Sequence, residues 1–210
     1  MSHLSPFESH TRFDIRFRSL LHEGRGHACP CDAAGHVNLD APSGRERCKA
    51  EEVTQFQVRA IESDDFERER EFVEGLSPRT AYLRLLSPRK PSIEELQRWT
   101  RINRPREGAV VATISIDGRE RQTGVARYVM EGSDGEAEFA IVIGDAWQGQ
   151  GLGTQLLSAL IDLARKSGVR RLIGSTLSEN RGMLGLARRF GFKLSREAGG
   201  AIITVLRLTL

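Results

Sequence analysis

The chain lacks any stretch near 18 consecutive apolar residues, so no membrane-crossing helix is expected. Its opening, MSHLSPFESH, lacks a basic segment running into an apolar one, so no secretory signal is expected and the cytoplasm is the default location. There are only 3 cysteines, Cys29, Cys31 and Cys48, and an odd number in a chain without a signal argues against a disulfide framework. Net charge is also scarce. Lys and Arg number 31 against 28 Asp and Glu, and the resulting +3 is too weak and dispersed to argue for nucleic acid, though it suits a small anionic ligand. What remains is a chain of 210 residues, 39% hydrophobic and 28% charged, which is the balance of a globular protein with one ordinary domain and an extension, or one large domain.

Residues 1–52 are polar, rich in Gly, Pro and His, and show little periodicity. FDIRFRSLL begins with an alternation that suggests a strand, and the GRGHACPCDAAGHVNLDAPSGRER that follows reads as loop or disorder. HACPCDAAGH gathers His27, Cys29, Cys31 and His36, but Cys-x-Cys is tighter than the spacing of two to four intervening residues usual for zinc. The plainer reading is unpaired thiols in a reducing cell, and no metal is expected. This stretch is therefore an N-terminal extension, and the domain proper spans 53–210.

From TQFQVRAI onward the pattern changes. Phe56, Val58 and Ala60 alternate with polar residues as in a strand. Ser63 is placed to cap a helix with Asp64 and Asp65 in its first turn, Ser77-Pro78 opens a second helix, and Ser92 with Glu95 forms a capping box for a third. AVVATISID, RQTGVARYVM and EAEFAIVIG are then separated by turn residues, an antiparallel meander of three strands. A helix follows, with Leu152, Leu156, Leu157, Leu160, Ile161 and Ala164 on one stripe and Gly168 beyond its end. VRRLIGST reads as a strand parallel to EAEFAIVIG because a helix connects them. ENRGMLGLARRF is a short helix, and FKLSRE with AIITVLRL closes as a hairpin around Gly199-Gly200. The fold class is α/β, a mixed and mostly antiparallel sheet with flanking helices.

WQGQGLGTQLL places three glycines at alternate positions directly before a helix. Gly151 and Gly153 remove Cβ atoms where the chain turns, so backbone N–H groups can converge on an anion with help from the helix dipole. A tight turn with no ligand is the other reading. A dinucleotide fingerprint does not fit, because the third glycine comes one place early and Arg170-Arg171 stand near the position of the acidic residue. A phosphate-binding Walker loop fails for want of Gly-Lys-Ser/Thr.

AIVIGDAWQGQGLGTQLLSALIDLARKSGVRRLIGSTLSENRGMLGLARRFGF resembles the core of the GNAT superfamily of N-acetyltransferases. The family's Gln/Arg-x-x-Gly-x-Gly/Ala loop is matched by Gln148, Gly149, Gln150, Gly151, Leu152 and Gly153, with Thr154 at the head of the helix. The resemblance extends over about residues 56–210. It implies splayed central parallel strands and acetyl-CoA as co-substrate. In that picture the loop amides hold the pyrophosphate, and the strand edge at Ile141, Val142 and Ile143 lies along the pantetheine arm. Asn180 either contacts that arm or caps its helix. FVEGLSPRTAYLRLL, AEFAIVI and LSENRGMLGLARRFGF are similar to segments of Pat-type bacterial protein lysine acetyltransferases. That narrower resemblance implies a strand glutamate, Glu138, as the catalytic residue and a protein lysine as acceptor. Many GNAT enzymes carry a tyrosine acid where this chain has Ala187. The chain has no segment resembling the large regulatory domains of two-domain relatives.

The chemistry agrees with that expectation. A lysine amine of pKa ~10.4 must lose a proton before it attacks, and a carboxylate can take it directly or through water. Glu138 alternates with Glu136, Ala140 and Val142 on one strand face, and Glu136 is the fallback base. Strand N–H groups from Ile141 to Ile143 are placed to stabilise a developing oxyanion. Tyr82 and Arg84 border the expected acceptor cleft, with Tyr82 more readily read as core. Arg165, Lys166, Arg170 and Arg171 offer cations for a nucleotide phosphate, or simply a solvated helix end. A small-amine acetyltransferase and a non-catalytic acyl-CoA-binding regulator are the alternatives, and the oligomeric state is open, a homodimer included.

Overall fold

The computed structural model describes residues 56–85, 89–130, 132–196 and 202–210. FDIRFRSLL, Cys29, Cys31, His36 and Gly199-Gly200 lie outside the described residues. The chain runs β1 (Gln57–Ala60), α1 (Phe66–Glu74), α2 (Pro78–Leu85), α3 (Ile93–Thr100), β2 (Glu107–Ile116), β3 (Arg119–Met130) and β4 (Glu136–Ile143). It continues through α4 (Leu152–Lys166), β5 (Arg171–Leu177), α5 (Arg181–Arg189), β6 (Lys193–Arg196) and β7 (Ile203–Thr209). The strands make one sheet in the order β1-β2-β3-β4-β5-β7-β6. Every pairing is antiparallel except β4 with β5, as a helix crossover between them demands.

Alternation along the strands sends residues to two cores. Val110, Ala112, Ala126, Tyr128, Phe139 and Ile141 meet α4 and α5 on one face, while Ala109, Val111, Val125 and Val142 meet α1 and α3 on the other. The stripe of α4 is buried at all six expected positions, Leu152, Leu156, Leu157, Leu160, Ile161 and Ala164. Each Leu or Ile so buried stabilises the fold by roughly 1.5–3 kcal/mol. The helix ends at Gly168, whose φ of 81° is the left-handed conformation that glycine accepts without strain.

Two local expectations need correction. Ser63 does not cap a helix. Ser63–Asp65 is a 3-10 turn entered from Glu62, and Glu62 with Asp65 makes the reciprocal capping pair. Asp65 is drawn there by Arg59 and Arg68, each within 2.7 Å of its carboxylate, ion pairs that override local capping preference. Tyr82 is not core either. It is 45% exposed, because α2 turns that side toward an open groove rather than the sheet.

Candidate active site

The site begins where two strands part. β4 and β5 pair at only three positions, Glu136 with Arg171, Ala137 with Leu172 and Glu138 with Ile173. Beyond Glu138, β4 stays paired with β3 as far as Ile143 opposite Gly124, but among the described residues no strand pairs with its other edge. The direction of the free groups follows from two bonds. Arg171 N–H donates to Gly135 O across the β5 side, and Gly144 N–H donates to Thr123 O on the β3 side. Backbone groups alternate along a strand, so Ile141 and Ile143 direct theirs into the gap, while Val142 directs its own toward β3. Gln148 closes part of that edge, its Nε2 donating to Ile143 O at 3.1 Å.

The gap leads to the glycine loop. Gly149 and Gly151 have φ of 77° and 80°, and a Cβ at either would meet nothing within 4 Å. The bare backbone therefore serves conformation and leaves open space in front. Among the described residues the N–H groups of 149–153 make no hydrogen bond, whereas Thr154 and Gln155 N–H already donate to Gly151 O. These five amides adjoin the positive end of a 15-residue helix, an arrangement that suits a phosphate group. At Gly153 the reason for glycine is different. A Cβ would press on Ile143 Cδ1 at 3.2 Å and Leu186 Cδ2 at 3.3 Å, so its absence lets β4, α4 and α5 close together.

The contact at Leu186 also brings a cation that the sequence did not single out. One helical turn on, exposed Arg189 Nη1 lies 3.4 Å from Thr154 Oγ1, beside the loop, with no carboxylate partner among the described residues. The basic residues that the sequence offers for this role lie elsewhere. Arg165 and Lys166 end α4, roughly 20 Å from its start at 1.5 Å per residue. Arg170 binds Asp134 O, and Arg171 pairs with Asp134 and Glu136 at 3.1 Å. Asn180 is 1% exposed and caps α5. Its Oδ1 accepts from Met183 N–H at 3.0 Å and its Nδ2 donates to Thr176 Oγ1 at 2.9 Å.

Glu138 is half-buried and is the last residue before the strands diverge. It faces Val129, while Arg127 faces Ala140, so these four side chains share the sheet face covered by α1 and α3. Arg127 is 6% exposed and held by Glu69 at 2.8 Å and Trp99 O at 3.2 Å, with its guanidinium 5.2 Å from the Trp99 ring centre. Gln122 Nε2 donates to the other Glu69 oxygen. The fallback Glu136 is committed to Arg171 and lies at the closed end of the parallel pair. Ala187 is fully buried and carries no acid.

One more carboxylate joins the loop to the rest. Asp145, between β4 and the glycines, accepts from Ser77 N–H at 3.0 Å, Ser77 Oγ at 2.8 Å and Thr80 Oγ1 at 2.7 Å at the head of α2. Burial pushes its carboxyl up, but these donors outweigh that and hold it below the ordinary value. Past α2, a groove of about 960 Å3 runs between α1, α2 and α3, walled by Phe66, Val73, Leu76, Ala81, Tyr82 and Ile93.

Comparison with known proteins places this geometry in context. The family model described as acetyltransferase (GNAT) domain matches residues 55–193. An acetyltransferase of Pseudomonas aeruginosa is 34% identical over 154 residues, 73% of this chain and 83% of that protein. The acetyltransferase Pat of Mycolicibacterium smegmatis is 32% identical over 150 residues, 71% of this chain and 44% of its own length. An L-methionine sulfoximine/L-methionine sulfone acetyltransferase of Pseudomonas aeruginosa is 36% identical over 98 residues, 45% of this chain and 56% of that protein. Among solved structures, the GNAT domain of S. lividans PAT superposes with a TM-score of 0.64 at 28% identity, covering 74% of this chain and 90% of that one.

Proposed function

This chain belongs to the GNAT family of acetyltransferases, with acetyl-CoA as its co-substrate, and from that premise we propose that it transfers acetyl to a lysine amine of a protein by direct attack in a ternary complex. Acetyl-CoA supplies the activated thioester. The observation that carries the choice of acceptor is the open groove along α1, α2 and α3. Its walls are apolar and aromatic, and its rim carries both signs, Glu67 and Glu74 beside Arg70 and Lys90. Such a surface suits a polypeptide segment, whereas a polyamine calls for a closed acidic pocket. The likeness to Pat supports the same reading.

Glu138 is the base. It stands at the parting of β4 and β5, so a thioester lying in the gap meets its face of the sheet. It takes the proton of the incoming ammonium, the neutral amine attacks the thioester carbonyl, and the tetrahedral adduct expels CoA as a thiolate that takes up the adduct's remaining amine proton. The gap-facing backbone of Ile141 and Ile143 lies along the pantetheine arm, and Val142 anchors that strand to the α1–α3 core. The amides of 149–153 hold the pyrophosphate, Gln148 and Thr154 brace the loop, and Arg189 adds a positive charge. Asn180 acts by holding the head of α5 in place. Ala187 supplies no proton to the departing thiolate.

Residues 1–52 form an extension outside the catalytic unit, a boundary supported by the family match beginning at 55 and β1 beginning at Gln57. A second reading, acetylation of an amino-acid amine, draws on the methionine sulfone relative. The two separate in one experiment. The protein is incubated with radiolabelled acetyl-CoA and either a cell lysate or methionine sulfone. Label in protein lysines supports the protein acceptor; label confined to methionine sulfone overturns it.

A further inference from the structure

The short helix α2 holds its place on a residue that belongs to the cofactor side of the molecule. It has only eight residues, below the length at which an isolated helix is stable in water, and no acidic residue in its own first turn. Ser77 caps it, accepting from Thr80 N–H at 3.2 Å. Ser77 and Thr80 in turn donate to Asp145, from 68 and 65 positions away in the chain. Thr80 is 3% exposed, so its hydroxyl has few other partners. Asp145 therefore supplies, from outside the helix, the negative charge that the α2 N-terminus lacks.

Asp145 is also the first residue of the turn Asp145–Trp147, which runs directly into the glycine loop. Gln148, the next residue, is fixed to Ile143 O. A rearrangement of the loop around a phosphate thus reaches Asp145 through three residues of turn, and reaches α2 through the carboxylate. The far side of α2 presents Pro78, Ala81 and Tyr82 to the groove.

We infer that Asp145 is a positioning residue that couples occupancy of the acetyl-CoA loop to the placement of α2, the wall of the acceptor groove. This rests on the reading of loop and groove given above. The coupling runs both ways: a loop held by acetyl-CoA steadies α2, and an acceptor that grips α2 steadies the loop. Ser77 and Thr80 are the other half of the device, and the bond geometry accounts for a carboxylate rather than an amide at 145. Both of its oxygens accept, one from an N–H and the other from two hydroxyls.

Hydrogen exchange of the full chain with and without saturating acetyl-CoA tests this without knowledge of the acceptor. In the parent, acetyl-CoA should slow exchange in 148–155 and also, by at least threefold, in 78–85. Asp145→Ala and Thr80→Val should keep the protection of 148–155 and an acetyl-CoA affinity within about threefold of the parent, but lose the response of 78–85. Thr80→Ser, which keeps the hydroxyl, should retain it. A parent whose loop is protected while α2 is indifferent overturns the inference. So does an α2 response that survives both Asp145→Ala and Thr80→Val. If acetyl-CoA fails to protect even 148–155 in the parent, the reading of the loop falls, and the coupling falls with it.

Discussion

Replacing Gly151 with valine separates the cost to the fold from the cost to the cofactor. Gly151 is the N-cap of α4 at φ 80°, a left-handed conformation that costs a non-glycine residue about 1–2 kcal/mol. The added side chain meets nothing within 4 Å of its Cβ, so that strain is the main penalty to folding, a loss of roughly 2–8 °C in Tm. The effect on binding is larger. The open space in front of Gly149 and Gly151 is where the pyrophosphate is proposed to lie, and a branched Cβ fills it. Losing two charge-assisted hydrogen bonds, at about 1.5–3 kcal/mol each, removes about 3–6 kcal/mol. At 1.4 kcal/mol per tenfold, acetyl-CoA binds roughly 10²–10⁴ times more weakly. Calorimetric titration alongside a thermal melt reads both numbers. A folded Gly151→Val that binds acetyl-CoA as tightly as the parent refutes the phosphate cradle.

Other outcomes follow from the charged clusters. Burial alone would raise the Asp65 carboxyl, but bonds from Arg59, Glu62 N–H and Arg68 outweigh it and lower it from 3.8 to about 2. A depressed carboxylate contributes stability above its unfolded value that is lost as pH falls, so the urea midpoint should drop between about pH 4 and pH 2, and Asp65→Asn should flatten that slope. Arg127→Met removes the cation that neutralises Glu69, which is fully buried, and should cost about 3–5 kcal/mol in urea unfolding, with Glu69→Leu in the same chain restoring most of it.

Much of the architecture was legible because it is written in short-range pattern. The six buried positions of α4, the Ser92–Glu95 box and the glycine loop before α4 all follow from spacing within a few residues. The parallel placement of β5 followed from a helix connecting it to β4. What escaped is long-range. Arg127 with Glu69 spans 58 positions, and Asp145 with Ser77 spans 68, and neither pairing leaves a periodic trace. The cap at Ser63 differs for a nearer reason: Arg59, six positions before Asp65 on the preceding strand, pairs with its carboxylate, and capping patterns do not register a strand-to-turn ion pair. Tyr82 departs from expectation because the aromatic type suggests burial while the side of α2 that carries it faces a groove. Arg189 had a signal in retrospect: it lies three positions after Leu186, which packs against the glycine at the head of α4.

The most direct test of the account is the pH dependence of the acetyl-transfer rate in Glu138→Gln beside the parent. The substitution keeps shape and removes the proton acceptor. The account predicts a rate lower by roughly 10²–10⁴, the usual contribution of a positioned base, with acetyl-CoA affinity unchanged. It also predicts that the residual rate climbs with pH toward the amine's own pKa of ~10.4, whereas the parent levels off once its base is ionised. A Glu138→Gln protein that matches the parent in rate and in pH profile contradicts it.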